Sequence, residues 1–250
     1  MNGIGILRGA ARRAAPIALA ALMASPAGAA DLLVDPTRID LSPRNQTAAV
    51  TATNNSDQPT SIQIQAVAWT QADGRDVYAP TRDLLVSPPI VTIAPNAEQI
   101  VRTALRRQAD PTVELAYRIY LQELPPEPTA GFAGLQVALR IGLPVFVQPQ
   151  GGLAAPDMVW TVAQGPDGQL KVGLRNQGKA HVQVLDFALF LPGGDKPIAS
   201  DPTMSYTLAG QSREWLLKAA LPATPTGGRL RLQAYTDAGT IDMEVALQAP

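Results

Sequence analysis

His181 is the only histidine in the chain, and there is no cysteine. A Cys–His nucleophile and a thiolate or imidazole metal cluster are therefore excluded by inventory. A Ser-His-Asp arrangement remains arithmetically available, but no Gly-x-Ser-x-Gly nucleophile elbow occurs. His181 stands beside Lys179, Ala180 and Val182 at the expected start of a strand, which predicts a partly exposed structural residue. The acidic pairs Asp73/Asp76 and Asp35/Asp40 fall in turn contexts, where Asp caps the backbone locally. A glycosidase would need two converging carboxylates that no spacing here indicates. The expectation is a protein that is not an enzyme and that carries no cofactor and no metal. What remains is a set of arginines inside otherwise apolar or uncharged runs: Arg38, Arg102, Arg118 and Arg140. Each reads equally well as a solvated outward position. Several facing one cleft would form an anion site, because the guanidinium fork bonds a carboxylate in two places.

The elements that must position these side chains are strands. Residues 134–147 place Leu135, Val137, Leu139, Ile141, Leu143, Val145 and Val147 on one face of a single extended run. At about 3.3 Å per residue this run exceeds roughly 40 Å, longer than one small sandwich needs. A free apolar strand edge is normally suppressed, so the run reads either as a strand lent to a partner or as a buried central strand. Alternation puts Arg140 on the face opposite Leu139 and Ile141.

Before position 31 the chain carries Arg8, Arg12 and Arg13, then an apolar run from Ala14 to Met23, then small residues ending Ala27-Gly28-Ala29-Ala30. This is the three-part pattern of a secretory signal peptide, too short to span a bilayer, with cleavage expected before Ala30 or Asp31. Ordinary secretion is favoured over the twin-arginine route. No later segment is apolar and long enough to anchor the chain, so no membrane insertion is expected. Loss of the leader removes three of 20 basic residues and none of 21 acidic ones, leaving 17 against 21 and a net charge of −4. That balance argues against a nucleic-acid partner. Without disulfides, the fold must rest on its cores.

From Asp31 onward, short β-branched or alternating runs are separated by turn signals, and no helical periodicity appears. The fold class is all-β. Strands are predicted over 32–34, 47–53, 61–70, 90–93, 99–105, 114–124 and 135–147, which suits an immunoglobulin-like sandwich. Gln148-Pro149-Gln150-Gly151-Gly152 reads as a linker. A second set follows at 159–163, 170–176, 182–191, 214–219, 229–235 and 241–247. The division is 1–30 signal peptide, 31–148 first domain with the long strand, and 149–250 second domain, with the cleft between the sandwiches as the expected ligand site.

Four segments in order resemble the periplasmic chaperones of chaperone–usher pili, the PapD type: Val-Asp-Pro-Thr-Arg-Ile at 34–39, Ile-Ala-Pro-Asn-Ala-Glu-Gln-Ile-Val-Arg at 93–102, Tyr-Arg-Ile-Tyr-Leu-Gln-Glu-Leu-Pro-Pro at 117–126, and Leu-Gln-Val-Ala-Leu-Arg-Ile-Gly-Leu-Pro-Val-Phe-Val at 135–147. The resemblance implies two immunoglobulin-like domains set in an L, whose partners are pilin subunits and an outer-membrane usher, in the periplasm. It implies that the last strand of the first domain is lent to a pilin lacking its own closing strand, with Leu135, Val137 and Leu139 as donated side chains and Ile141 as a fourth. The family holds the pilin C-terminal carboxylate with an arginine, matched by Arg38, and a lysine, whose position falls on Pro144. Arg140, Arg118 or Arg102 is then expected to supply the second charge. Of the family's interdomain charge cluster, Glu123 and Asp237 match the acidic members, whereas the bridging arginine falls on Gln148. These departures resemble the archaic, spore-coat-U-associated branch. Self-capping homo-oligomers are a further expectation, given the exposed strand. The competing readings are a structural pilin or adhesin, and a periplasmic carbohydrate-binding sandwich. The former lacks support because no N-terminal donor extension is present. The latter lacks it because Trp69, Trp160 and Trp215 are widely spaced and read as core.

Overall fold

The computed structural model describes residues 31–125, 137–219 and 228–249, so the signal-peptide reading and the expected donor residue Leu135 lie outside the described residues. Two all-β sandwiches of immunoglobulin type follow one another along the chain. The first contains β1 (Leu32–Asp35), β2 (Ile39–Leu41), β3 (Thr47–Asn54), β4 (Thr60–Ala72), β5 (Arg75–Pro80), β6 (Leu84–Ser87), β7 (Ile90–Ile93), β8 (Glu98–Leu105), β9 (Leu115–Leu124) and β10 (Arg140–Val147). One sheet has the order β1-β3-β8-β6; the other has the order β2-β10-β9-β4-β5, with β7 also paired to β4. The second sandwich contains β11 (Met158–Gln164), β12 (Gln169–Asn176), β13 (Val182–Phe190), β14 (Pro197–Asp201), β15 (Ser205–Thr207), β16 (Ser212–Lys218), β17 (Arg229–Thr236) and β18 (Gly239–Gln248). Its strands run in the order β14-β13-β17-β18-β11-β12-β16, with β18 joining two layers by pairing antiparallel to β17 and, at its end, parallel to β11.

The period-2 pattern explains the layers. In β4, Ile62, Ile64, Ala66 and Ala68 face the first core. The opposite face changes character along the same strand: Gln63 and Gln65 are exposed, whereas Val67, Trp69 and Gln71 are buried. β10 behaves alike. Ile141, Leu143, Val145 and Val147 point into the first core, while the other face passes from exposed Arg140 to Phe146 at 1% exposure. Each strand is half-buried at one end and buried on both faces at the other, where the second domain covers it.

The run expected as one strand over 135–147 enters the sheet only at Arg140. Val137 is 64% exposed, and Leu139 is the last residue tied to β9. β9 ends at Leu124, so Val137 and Ala138 have no strand beside them among the described residues. Strands β2, β5, β6, β14 and β15 escaped the pattern reading because they are three to six residues long, and β5 is exposed throughout. The expected linker is stitched to the first sandwich: the Gln150 and Gly151 N–H groups donate to Asp110 and Pro111 carbonyls, and the Gln150 amide donates to Ala109.

Candidate strand-pairing edge and domain junction

β9 pairs with β10 along its whole length, Arg140 to Val147. On the other side, β2 runs parallel to β10 and reaches only Val145, Phe146 and Val147. Glu123 N–H donates to the Leu139 carbonyl across the β9–β10 ladder, and Leu139 lies opposite Glu123. Counting in twos from that pair, residues 139, 141 and 143 direct their main-chain groups at β9, and Arg140, Gly142 and Pro144 direct theirs outward. Gln148, of the same parity, donates its N–H to Leu41 on β2. Among the described residues the outward groups of Arg140–Pro144 therefore form an open sheet edge. Pro144 costs that edge one donor and costs the β9 ladder none, which is where a strand tolerates proline. Beside this edge the inward-facing side chains grade from exposed Val137 through half-buried Leu139 and Ile141 to buried Leu143.

On the outer face of the same sheet, side chains fall in rows across β10, β9 and β4: Arg140–Gln122–Gln63, then Gly142–Tyr120–Gln65, then Pro144–Arg118–Val67. Arg118 thus lies cross-strand from Pro144. Its guanidinium sits 4.4 Å from the centroid of the Trp69 ring and 5.7 Å from that of Tyr78, and its Nε is buried without a hydrogen-bond partner. Arg140 lies 3.9 Å over the Tyr120 ring. Arg38 bonds Asp40 at 3.1 Å and Asp237 at 3.3 Å. Arg102 does not join them. It is carried by β8 in the opposite sheet, opposite Ala49 and Ser87, with its side chain exposed. Arg38 and Arg118 share one region, since both act electrostatically on the Tyr206 phenol, which burial raises above its usual range.

Where the two sandwiches meet, Trp69 and Phe146 of the first pack with Tyr206 and Leu208 of the second. The Gln71 amide donates to the Tyr206 carbonyl at 2.9 Å and its oxygen accepts from Leu208 N–H at 3.0 Å. Arg213 bonds Asp76 at 2.9 Å. His181 is partly buried, its side chain 9% exposed, because its ring stacks on Phe146 with centroids 3.4 Å apart. Its Nδ1 meets Glu114 at 2.6 Å, and its Nε2 approaches Asp237 at 3.5 Å. Burial opposes its protonation, but bonds to Asp237 and Glu114 outweigh that and raise its pKa. Burial likewise opposes ionisation of Asp237, yet His181, the Gln183 N–H and Arg38 hold its carboxyl below the usual range.

Asp237 therefore sits at the junction with Arg38, whereas Glu123 does not reach it. The Glu123 carboxylate accepts the Leu139 N–H at 3.0 Å and secures the entry to β10. Glu114, in the loop entering β9, meets the second domain through His181, as Asp76 on β5 does through Arg213, and His181 lies between Glu114 and Asp237. No sequence signal marked Glu114; its role depends on a fold that brings residue 181 to it. Part of the expected cleft is filled by these groups, and a hollow of about 270 Å³ remains beside Trp69, Gln71, Glu114 and Leu208. Trp160 and Trp215 stack in the second domain, centroids 6.0 Å apart, with Trp160 buried and Trp215 packed against the core, so neither offers an exposed sugar platform.

Residues 31–152 match the family model of the pili and flagellar-assembly chaperones, PapD N-terminal domain. The fold is similar to that in the CsuC–CsuE chaperone–tip adhesion subunit pre-assembly complex from archaic chaperone–usher Csu pili of Acinetobacter baumannii, with a TM-score of 0.63, 18% identity, and 88% of this chain and 99% of that chain covered. It is similar also to the Salmonella enterica SafA pilin–SafB chaperone complex (TM-score 0.57, 16% identity, 86% and 95% covered). The Pseudomonas aeruginosa CupB2 chaperone gives a TM-score of 0.56 at 17% identity over 86% and 100%. No curated protein matches the chain.

Proposed function

We propose that this chain, which through residues 31–152 belongs to the PapD family of pilus-assembly chaperones, lends the open edge of β10 to a pilin subunit, keeps it folded and unpolymerised in the periplasm, and passes it to an outer-membrane usher. The observation that carries this reading is the one-sided pairing of β10: a strand with an apolar inner face whose outward main-chain groups are unpaired from Arg140 to Pro144 among the described residues. Main-chain bonds along such an edge give affinity, and alternate side chains fill the partner's groove. Val137, Leu139 and Ile141 are the described residues of this face with surface left to bury, and the period of two in the sequence assigns Leu135 to the same set. Each contributes roughly 1.5–3 kcal/mol when fully buried, enough for a few of them to offset a substantial part of the association cost. No ATP or enzymatic step is needed, because a better-fitting strand from the next pilin releases the subunit.

The second charge for the pilin C-terminal carboxylate is assigned to Arg118. It stands cross-strand from Pro144, and the family's lysine position falls on that proline. Stacking on Trp69 holds its guanidinium in place, and no carboxylate lies within 4.0 Å of it among the described residues. Arg38 is the first charge, shared with Asp40 and Asp237. The departures at Pro144 and Gln148 are the features that favour the archaic branch.

The test is periplasmic co-expression with pilin subunits from the same genome, comparing the native protein with a Val137→Asp/Leu139→Asp variant whose folding is checked by its thermal transition. A one-to-one complex that the folded double variant loses establishes strand donation. A pilin or adhesin reading gains if no subunit associates with the native protein.

A further inference from the structure

Near the start of β10 the outer face holds a recess of about 60 Å³ bounded by Arg140, Gln122, Tyr120, Gln63 and Gln65. That volume accommodates a group of carboxylate size, about two waters' share of liquid volume. Its shape depends on Gly142: a Cβ there would stand 2.9 Å from Tyr120 Cε1, so the missing side chain lets the phenol ring lie across β10 and support the Arg140 guanidinium. The lining carries one cation, three amides and a phenol, with no carboxylate. Among the described residues Arg140 has no ion-pair partner, and the Gln63 and Gln65 amides make no hydrogen bond. Arg38, Arg107, Arg213, Arg229 and Arg231 each pair with an acid, whereas Arg140 and Arg118, the two arginines stacked on aromatic rings of this sheet face, do not among the described residues. Arg140 is also the first residue of the open edge, so a strand added to that edge places one of its side chains beside Arg140 on the outer face.

We infer that Arg140 reads an acidic side chain: the pilin strand that pairs with β10 carries an Asp or Glu beside Arg140, on the face away from its apolar residues, and the Tyr120 ring that borders the recess steadies the guanidinium for it. The inference rests on the strand-donation reading and adds the partner's chemistry to it. Apolar inward residues bind any groove of the right depth. An outward ion pair in fixed register discriminates among subunits and sets which residue of the pilin meets Arg140. This contact is separate from the C-terminal carboxylate, which the assignment above gives to Arg118, two rows further along the face.

The experiment measures exchange of labelled for unlabelled chaperone out of a purified complex with a full-length pilin from the same genome, at 50 and 500 mM NaCl. Arg140→Gln should exchange about five- to tenfold faster than the native protein at low salt, as expected for loss of one charge-assisted cross-strand pair. The difference should vanish at high salt, and Arg140→Lys should recover part of it. Arg140→Glu should be rescued by changing one acidic residue of the pilin strand to Lys. Equal exchange for native and Arg140→Gln at both salts overturns the inference, as does a salt-independent loss, which would report lost packing on Tyr120. If Val137→Asp/Leu139→Asp abolishes the complex while Arg140→Gln is neutral, the inference alone falls. If the complex survives that double variant, strand donation falls and takes the inference with it.

Discussion

The role proposed for Arg118 follows from its neighbours. A guanidinium in an apolar strand is costly unless paired or stacked, and here Trp69 and Tyr78 support it from one side while its Nε stays without a partner. Arg118→Gln should weaken pilin binding about tenfold or more, the scale of a lost charge-assisted bond. The loss should shrink to near nothing with a pilin whose C-terminus is extended by several residues; binding titrations of the two pilins against both chaperones check this. Gly142→Ala is the complementary probe. Its added methyl meets Tyr120 Cε1 at 2.9 Å, so the ring must move, at a cost of about 1–3 kcal/mol in urea unfolding.

At the scale of elements, each sandwich is pinned where a core strand ends in a buried asparagine. Asn54, closing β3, donates to the carbonyls of Gln58, Ile93 and Ala94. Asn176, closing β12, donates to Ala180, Thr207 and Leu208 and accepts from the Asp157 and Gly178 N–H groups. Removing either amide orphans several buried main-chain groups at once, each costing about 1–3 kcal/mol when unsatisfied. Asn176→Ala should therefore destabilise the protein by at least about 2 kcal/mol in denaturant titration, and more than Asn→Ala at exposed Asn45. The strands themselves were largely legible, because alternation in β3, β4, β9, β12, β13 and β17 is set by which face is dry. Strands β2, β5, β6, β14 and β15 were not, since three to six residues carry little pattern and β5 has no buried face. Nor was the entry to β10: the apolar alternation continues back through Val137, but pairing stops where β9 runs out.

For the whole molecule, the junction joins domain orientation to proton concentration through a single imidazole. The folded pKa of His181 is raised above its ordinary value, so its contribution to stability is fully present below about pH 6.5 and is lost as pH rises through the folded pKa. The lowered pKa of Asp237 acts in the other direction: its contribution is present above the usual carboxyl range and is lost on strong acidification. The native protein should melt at progressively lower temperature as pH is raised from 6 toward 8.5. His181→Gln should melt lower at pH 6 and show little of that slope. With one histidine in the chain, calorimetry across this range assigns the effect without ambiguity.

The chain by itself determined the fold class, the two-sandwich division, the absence of thiol and imidazole clusters, and the long apolar face ending in Val147, because these depend on residue type and on a period of two. It also marked the set of arginines to which Arg118 and Arg140 belong. It could not separate them from Arg102, whose spacing in β8 is just as regular but whose strand lies in the opposite sheet. Which edge of β10 stays open depends on β2 stopping at Val145, and the contact of Glu114 with the second domain depends on residue 181 arriving beside residue 114. Both are contacts between segments distant in sequence, decided by how the sheets close and how one sandwich leans on the other, and local pattern carries no information about either.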